Sequence, residues 1–211
     1  MDVSFALALS HIFWIGGSPC SGKSTITAKL AAQHGLTIYG CDEMVDRHTT
    51  EAGIDRASVI HRLARASCDE LWMRPVDQQV REEIVYYEEE FPFILDDLRA
   101  LPRDRPVIAE GAALMLHLLE SIGVPHGRSI WLVPSPAFQR EHYARREWPN
   151  DALASCTDPD QAWRNWMERD IGFGRRVDNE AMRPVLTCLT VDGSRLLESI
   201  LDAVRRHFGL G

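Results

Sequence analysis

The chain has 211 residues with 45% hydrophobic and 26% charged content, values that support a packed core and exclude a disordered polymer. Its 31 Asp and Glu outnumber its 23 Lys and Arg, and the net charge of −8 argues against broad binding to nucleic acid or to an anionic membrane surface. Five cysteines (Cys20, Cys41, Cys68, Cys156 and Cys188) form an odd set with no Cys-x-x-Cys pair, which argues against a disulfide framework or a zinc site and fits a reducing cytoplasm.

Strand and helix signals alternate along the chain. Phe5-Ala6-Leu7-Ala8-Leu9 is apolar but short and lacks a basic flank, so it does not read as a signal peptide. No later run approaches the roughly 18 apolar residues of a membrane span. His11 to Ile15 reads as a buried strand ending in Gly16-Gly17. A helix follows from Lys23 to about His34, with Ile26 and Leu30 on one face and Gly35 at its end. Leu36 to Tyr39 is a second strand. The stretch from about 55 to 100 lacks strand runs and reads as helical, punctuated by Pro75 and Pro92. Pro106 to Ala109 is a third strand, closed by Glu110-Gly111 and followed by a helix through Leu114, Leu118 and Leu119. Ser129 to Val133 is a fourth strand, broken by Pro134 and Pro136. Phe138 to Arg176 reads as helical and rich in arginine, with Gly172-x-Gly174 as a loop. Val185 to Val191 is a fifth strand. Leu196, Leu197, Ile200, Leu201, Val204 and Phe208 mark one face of a last helix, stopped by Gly209.

This alternation predicts an α/β fold: a five-stranded parallel sheet with helices on both faces, three layers in a single domain spanning 1–211. Ligands in such folds bind beyond the carboxyl ends of the strands. At that edge the sequence places residues 18–24, Asp42 with Glu43, and Glu110.

Gly17-Ser18-Pro19-Cys20-Ser21-Gly22-Lys23-Ser24 follows a strand, opens a helix, and fits the pattern Gly, four residues, Gly, Lys, Ser or Thr. Glycines let the backbone approach a ligand closely, and successive amides with the helix N-terminus face phosphate. The expected ligand is a nucleoside triphosphate, ATP with Mg²⁺. Lys23 would reach the β- and γ-phosphates, the Ser24 hydroxyl would ligate the metal, and Thr25 extends the pattern. Cys20 reads as a small loop filler, although a helix N-terminus and a nearby lysine also lower thiol pKa values.

On this loop and this order of elements the chain resembles the small P-loop kinases, the group of nucleoside monophosphate kinases, shikimate and gluconate kinases and chloramphenicol phosphotransferase. The resemblance implies a helical substrate-binding region after the second strand, about 44–100, and an Arg-bearing lid at about 136–180. It implies that Asp42, after the second strand, contacts an acceptor hydroxyl. A carboxylate taking the hydroxyl proton also makes chemical sense by itself, with Glu43 as the neighbouring alternative. Glu110 would hold a water on Mg²⁺ or a substrate group, and Gly111 would let substrate come close. Arg140, Arg145, Arg146, Arg164, Arg169, Arg175 and Arg176 fall in the lid region. Arg145, Arg146 and Arg169 are the choices for stabilising charge on the transferred phosphoryl group. The resemblance also sets Arg183-Pro184 and Asp192-Gly193-Ser194 beside the adenine, with Arg183 stacking on the base. A turn accounts for 192–194 equally well.

The acceptor expected from this pattern is a small molecule phosphorylated on a hydroxyl. A nucleoside monophosphate is one option, since Arg56, Arg62, Arg65 and Arg74 lie in the early helical region. The acidic stretch Arg81 to Glu90 reads by default as a solvated helix face, and otherwise as recognition of a cationic acceptor. Other classes are a nucleotide switch or mechanical ATPase, for which no Asn-Lys-x-Asp motif exists, and a binding-only protein, against which Lys23 and Ser24 speak. His34, His48, His61, His117, His126 and His142 show no metal-ligand spacing. Trp163 and Trp166, a helical i,i+3 step apart, suit packing rather than ligand stacking. No nucleic-acid or membrane partner is expected. Oligomeric state stays open, a homodimer being one option.

Overall fold

In the computed structural model the structure describes residues 9–53, 58–146, 148–181 and 187–211. Residues 5–8, Arg56, Arg183, Pro184 and the start of the expected fifth strand lie outside them. Five strands, β1 (Ile12–Gly17), β2 (Thr37–Gly40), β3 (Val107–Glu110), β4 (Ser129–Pro134) and β5 (Cys188–Val191), form one parallel sheet in the order β2-β3-β1-β4-β5. The predicted three-layer α/β fold is therefore the observed one.

Alternation along the strands explains the layers. Successive side chains of a strand point to opposite faces. Ile12 and Trp14 of β1 enter one core with Ile94, Leu98, Leu114 and Phe173. Phe13 and Ile15 enter the other with Ile26, Leu30, Ile200 and Val204. Every residue of β1, β3 and β4 is buried, so both faces need helices. One face is covered by α1 (Lys23–His34) and, at the end of the chain, by α10 (Leu197–His207). The intervening helices are α2 (Val45–Glu51), α3 (Ser58–Leu63), α4 (Cys68–Trp72), α5 (Val76–Ala100), α6 (Leu116–Ser121), α7 (Pro136–Tyr143), α8 (Trp148–Leu153) and α9 (Pro159–Ala181). The long pair α5 and α9 supplies much of the second face.

Several local expectations change. Pro75 does precede a helix, but Pro92 lies inside α5 without ending it. Its missing N–H forgoes one helical bond, and the buried row Phe91, Ile94, Leu95 and Leu98 holds the helix to the sheet across that gap. Gly172 and Gly174 are helical, within α9, not a loop. A Cβ on Gly172 would lie 2.7 Å from Val80, so the glycine lets α9 close on α5. Leu196 and Leu197 are exposed rather than core, because they precede the buried turn of α10 that starts at Ile200.

The cysteine expectation also fails. Cys68 at the start of α4 and Cys156, between α8 and α9, are disulfide-bonded across 88 residues of chain. Spacing along a sequence says nothing about which helix ends meet. The odd count arises because Cys20, Cys41 and Cys188 stay free. Among the described residues no helix is long and apolar enough to cross a membrane.

Candidate active site

The loop between β1 and α1 is shaped by close approach. Gly17 has φ 124°, and a Cβ there would lie 2.0 Å from the Leu132 carbonyl oxygen of β4. Gly22 caps α1 in the left-handed conformation, φ 83°, and no side chain caps that helix. Its first amides are thereby left for a ligand. Lys23 is buried, and its Nζ donates to the Ser18 carbonyl at 2.8 Å, spanning the loop. Burial lowers the Lys23 pKa, and the carboxylates of Glu110 and Asp42 oppose that shift. The Ser18 and Ser21 hydroxyl oxygens are buried without hydrogen-bond partners. Orphaned hydroxyls and uncapped amides around a buried ammonium fit an anionic phosphate chain.

Glu110 ends β3 opposite Ile15 of β1 and Gly40 of β2, which aims it at the loop. It is hydrogen-bonded to Ser24, and burial raises its pKa against the pull of Lys23 and that bond. A serine hydroxyl with a carboxylate behind it is a donor set suited to Mg²⁺. Asp42 and Glu43 share one exposed 3₁₀ turn after β2. Asp42 acts electrostatically on Lys23, Glu110, Tyr86 and Tyr87. Glu43 instead folds back, its Cδ within 3.3 Å of where a Gly40 Cβ would sit. Gly111 faces Cys41, whose Cβ lies 2.5 Å from the place of a Gly111 Cβ, so its smallness serves packing between β2 and β3.

Two cavities flank the loop. One, about 430 Å³, is bounded by Cys20, Ser21, Gly22 and Thr25 and by Phe138 and His142, whose rings stack at 3.7 Å. Arg145, Arg146, Gly193, Arg195 and Leu197 also line it. Arg145 pairs with Glu141, and the Arg146 guanidinium lies 5.0 Å from the Tyr143 ring centre. Asp192 accepts from the Ser194 amide at 2.9 Å and its hydroxyl at 2.6 Å, the turn geometry expected, which presents Gly193 to the cavity. Phe138, His142 and Arg195 were not singled out by sequence. The i,i+4 spacing of Phe138 and His142 was the available signal.

The other cavity, about 210 Å³, is reached from Pro19 and walled by α3, α4, α5 and α9. Here lies Arg169, apart from Arg145 and Arg146. It is held by Asp170 at 2.6 Å and Glu83 at 3.3 Å, and lies 4.8 Å from the Trp72 ring centre. Burial would lower its pKa, but Asp170 and Glu83 outweigh that and raise it. Trp72 stacks on Trp166 at 4.4 Å, so the tryptophans pack as expected, while Trp72 also lines the cavity. Arg140 pairs with Glu168, and Arg176 with Glu180 at 2.8 Å.

The acidic stretch is an organiser, not a solvated face. Glu82 meets Arg62 and Arg74, and Glu83 meets Arg169. Glu89 accepts from the Val59 and Ile60 amides at 2.9 and 3.0 Å, capping α3. Glu90 is fully buried 3.0 Å from His48 Nδ1, whose Nε2 lies 3.0 Å from Asp97. Cys20 has φ 64° and packs beside Tyr143 and Trp166. Burial raises its thiol pKa, with Arg146 and Lys23 opposing and Asp170 adding to the rise, so it is not an activated thiolate.

Strand order, loop and helix together define a three-layer α/β protein with a P-loop-like fold. No protein-family model matches the chain, and no curated protein matches it in sequence. Among solved structures it is similar to TT1252 from Thermus thermophilus, at 17% identity over 94% of this chain and 96% of that one, with a TM-score of 0.49. An uncharacterized protein from Eubacterium ventriosum overlaps at 13% identity over 94% and 97%, TM-score 0.46. A candidate kinase from Chloroflexus aurantiacus overlaps at 15% identity over 93% and 97%, TM-score 0.41. Likeness at this level leaves the chemistry to be argued from the side chains.

Proposed function

We propose that the protein is an ATP- and Mg²⁺-dependent phosphotransferase acting on a hydroxyl of a small molecule. The observation that carries this reading is the pair of cavities on either side of one phosphate-type loop. The cavity beside Cys20, Ser21 and Gly22 suits the nucleotide, and the one beside Pro19 suits an acceptor. A hydrolase acting on water alone has no use for the second cavity.

In this reading Lys23 exchanges the Ser18 carbonyl for phosphate oxygens, and the uncapped amides of α1 with Ser18 and Ser21 hold the chain of phosphates. Ser24, with Glu110 behind it, would hold Mg²⁺, which when bound neutralises developing charge. Asp42 accepts the acceptor's hydroxyl proton. The new O–P bond forms as the γ-phosphorus separates from its bridging oxygen, and that electron pair leaves on ADP. Arg145 and Arg146 stand on the nucleotide side, where they stabilise the equatorial oxygens once the 136–180 region closes. Arg169, locked between Asp170 and Glu83, shapes the acceptor wall instead.

The test is ATP-dependent phosphorylation of a metabolite panel, comparing the wild type with Asp42→Asn. A loss of about 10²–10⁴-fold in kcat with folding intact is expected for removal of the base. Undiminished transfer by the variant eliminates Asp42 from that role.

A further inference from the structure

Resting on the kinase reading, we infer that the 210 Å³ cavity takes a compact acceptor rich in hydroxyl or amine donors and without an anionic group, such as a sugar, amino sugar or amino alcohol. Its polar lining is short of donors. The Oε1 of Gln79 is buried with no hydrogen-bond partner, on a side chain 2% exposed, while the Oε2 of Glu83 has only the long 3.3 Å contact of the Arg169 Nε. The amide oxygen of Gln79 only accepts, and a buried acceptor without a donor is costly. A ligand O–H or N–H supplies what Gln79 lacks. The Arg74 Nε is the one orphan donor on the same wall, matched by a hydroxyl oxygen.

Charge points the same way. Three guanidinium groups stand at or beside the cavity, and each already faces a carboxylate. Arg62 and Arg74 converge on Glu82, and Arg169 lies between Glu83 and Asp170. Arg62 and Arg74 are committed to Glu82 and Arg169 to Asp170, so none of the three is free for a phosphate or carboxylate. An anion entering here would meet Glu82 on the lining itself. Arg65, another arginine of the early helical region, is turned to His61 at 2.9 Å. A nucleoside monophosphate therefore finds no uncommitted arginine among those described.

Size and shape complete the assignment. The cavity is about half the 430 Å³ of its neighbour across the loop, and lies below the roughly 300 Å³ at which drug-sized pockets begin. Leu63, Leu71, Trp72 and Tyr86 give it an apolar side against which the carbon face of a ring can lie.

The experiment separates binding from transfer. Thermal-shift and calorimetric titrations of the full chain, without ATP, use glucose, glucosamine, gluconate, shikimate and UMP as probes. Transfer from ATP is then measured on the same five. Glucose or glucosamine should bind at least tenfold more tightly than any of the three anions. Binding without transfer would overturn the kinase reading and leave the acceptor class standing. Preference for gluconate, shikimate or UMP, or no binding by any probe, would overturn the class itself. Glu82→Gln supplies a gain that misfolding cannot imitate. By releasing Arg62 and Arg74 it should improve gluconate binding at least tenfold relative to glucose, and an unchanged ratio counts against the inference.

Discussion

Breaking the Cys68–Cys156 disulfide should lower stability substantially. The bond closes 88 residues of chain and joins the start of α4 to the segment entering α9. For a loop of that length the chain-entropy relation gives about 4.6 kcal/mol at 25 °C, and loss of a native disulfide generally costs about 2–5 kcal/mol. At a typical unfolding entropy per residue, a chain of 211 residues loses roughly 2 °C for each kcal/mol, so Tm should fall by roughly 5–10 °C. The same staple holds two walls of the acceptor cavity, since Leu71 and Trp72 lie on α4 and Arg169 on α9. Asn165 also donates to the Trp72 carbonyl at 2.7 Å, so the walls should loosen rather than part. Scanning calorimetry of the oxidised protein with and without dithiothreitol reads the effect. Cys68→Ser/Cys156→Ser should melt like the reduced protein and ignore the reductant. A difference under about 2 °C between oxidised and reduced forms, set against that expected fall, would refute the reasoning.

Two further outcomes follow from buried charge. His48→Ala should cost about 3 kcal/mol or more in urea unfolding, because it strips the partner from fully buried Glu90, whereas Asp97 keeps Tyr39 and Arg47. A cost under about 1 kcal/mol would show that Glu90 does not depend on it. Glu83 is pushed by burial from its ordinary 4.5 up to about 7, against the opposing pull of Arg169. The native state therefore binds a proton there that the unfolded chain has lost. Its contribution is complete below about pH 4.5 and disappears as pH rises through about 7. Glu83→Gln should flatten that part of the stability–pH profile between pH 5 and about 7.5, and parallel profiles would contradict the assignment.

The sheet was legible from sequence because its cause is local and repetitive. Short apolar runs closed by glycine, proline or acid mark β1 to β4 to within two residues, because strands buried on both faces, as β1, β3 and β4 are, read as near-continuous apolar runs. The loop was legible because its backbone demands glycine at Gly17 and Gly22, and such a demand survives in any context. Pro92 misled because its cost, a lost hydrogen bond and a ring clash of about 3 kcal/mol, is outweighed by a row of buried side chains.

What the residues determined unaided was the α/β alternation, the phosphate-type loop, and the acids placed beyond β2 and β3. These depend on neighbours a few positions apart. The tertiary structure alone decided the disulfide, the removal of Arg169 from Arg145 and Arg146, the conversion of an acidic helix face into a buried set of ion pairs, and the two cavities on either side of the loop. Each joins residues tens of positions apart, and their charges matter only once water is excluded from between them. An isolated helical stretch from Arg81 to Glu90 would be a solvated face. Packed against α3 and α9 it becomes a wall of paired carboxylates beside Pro19.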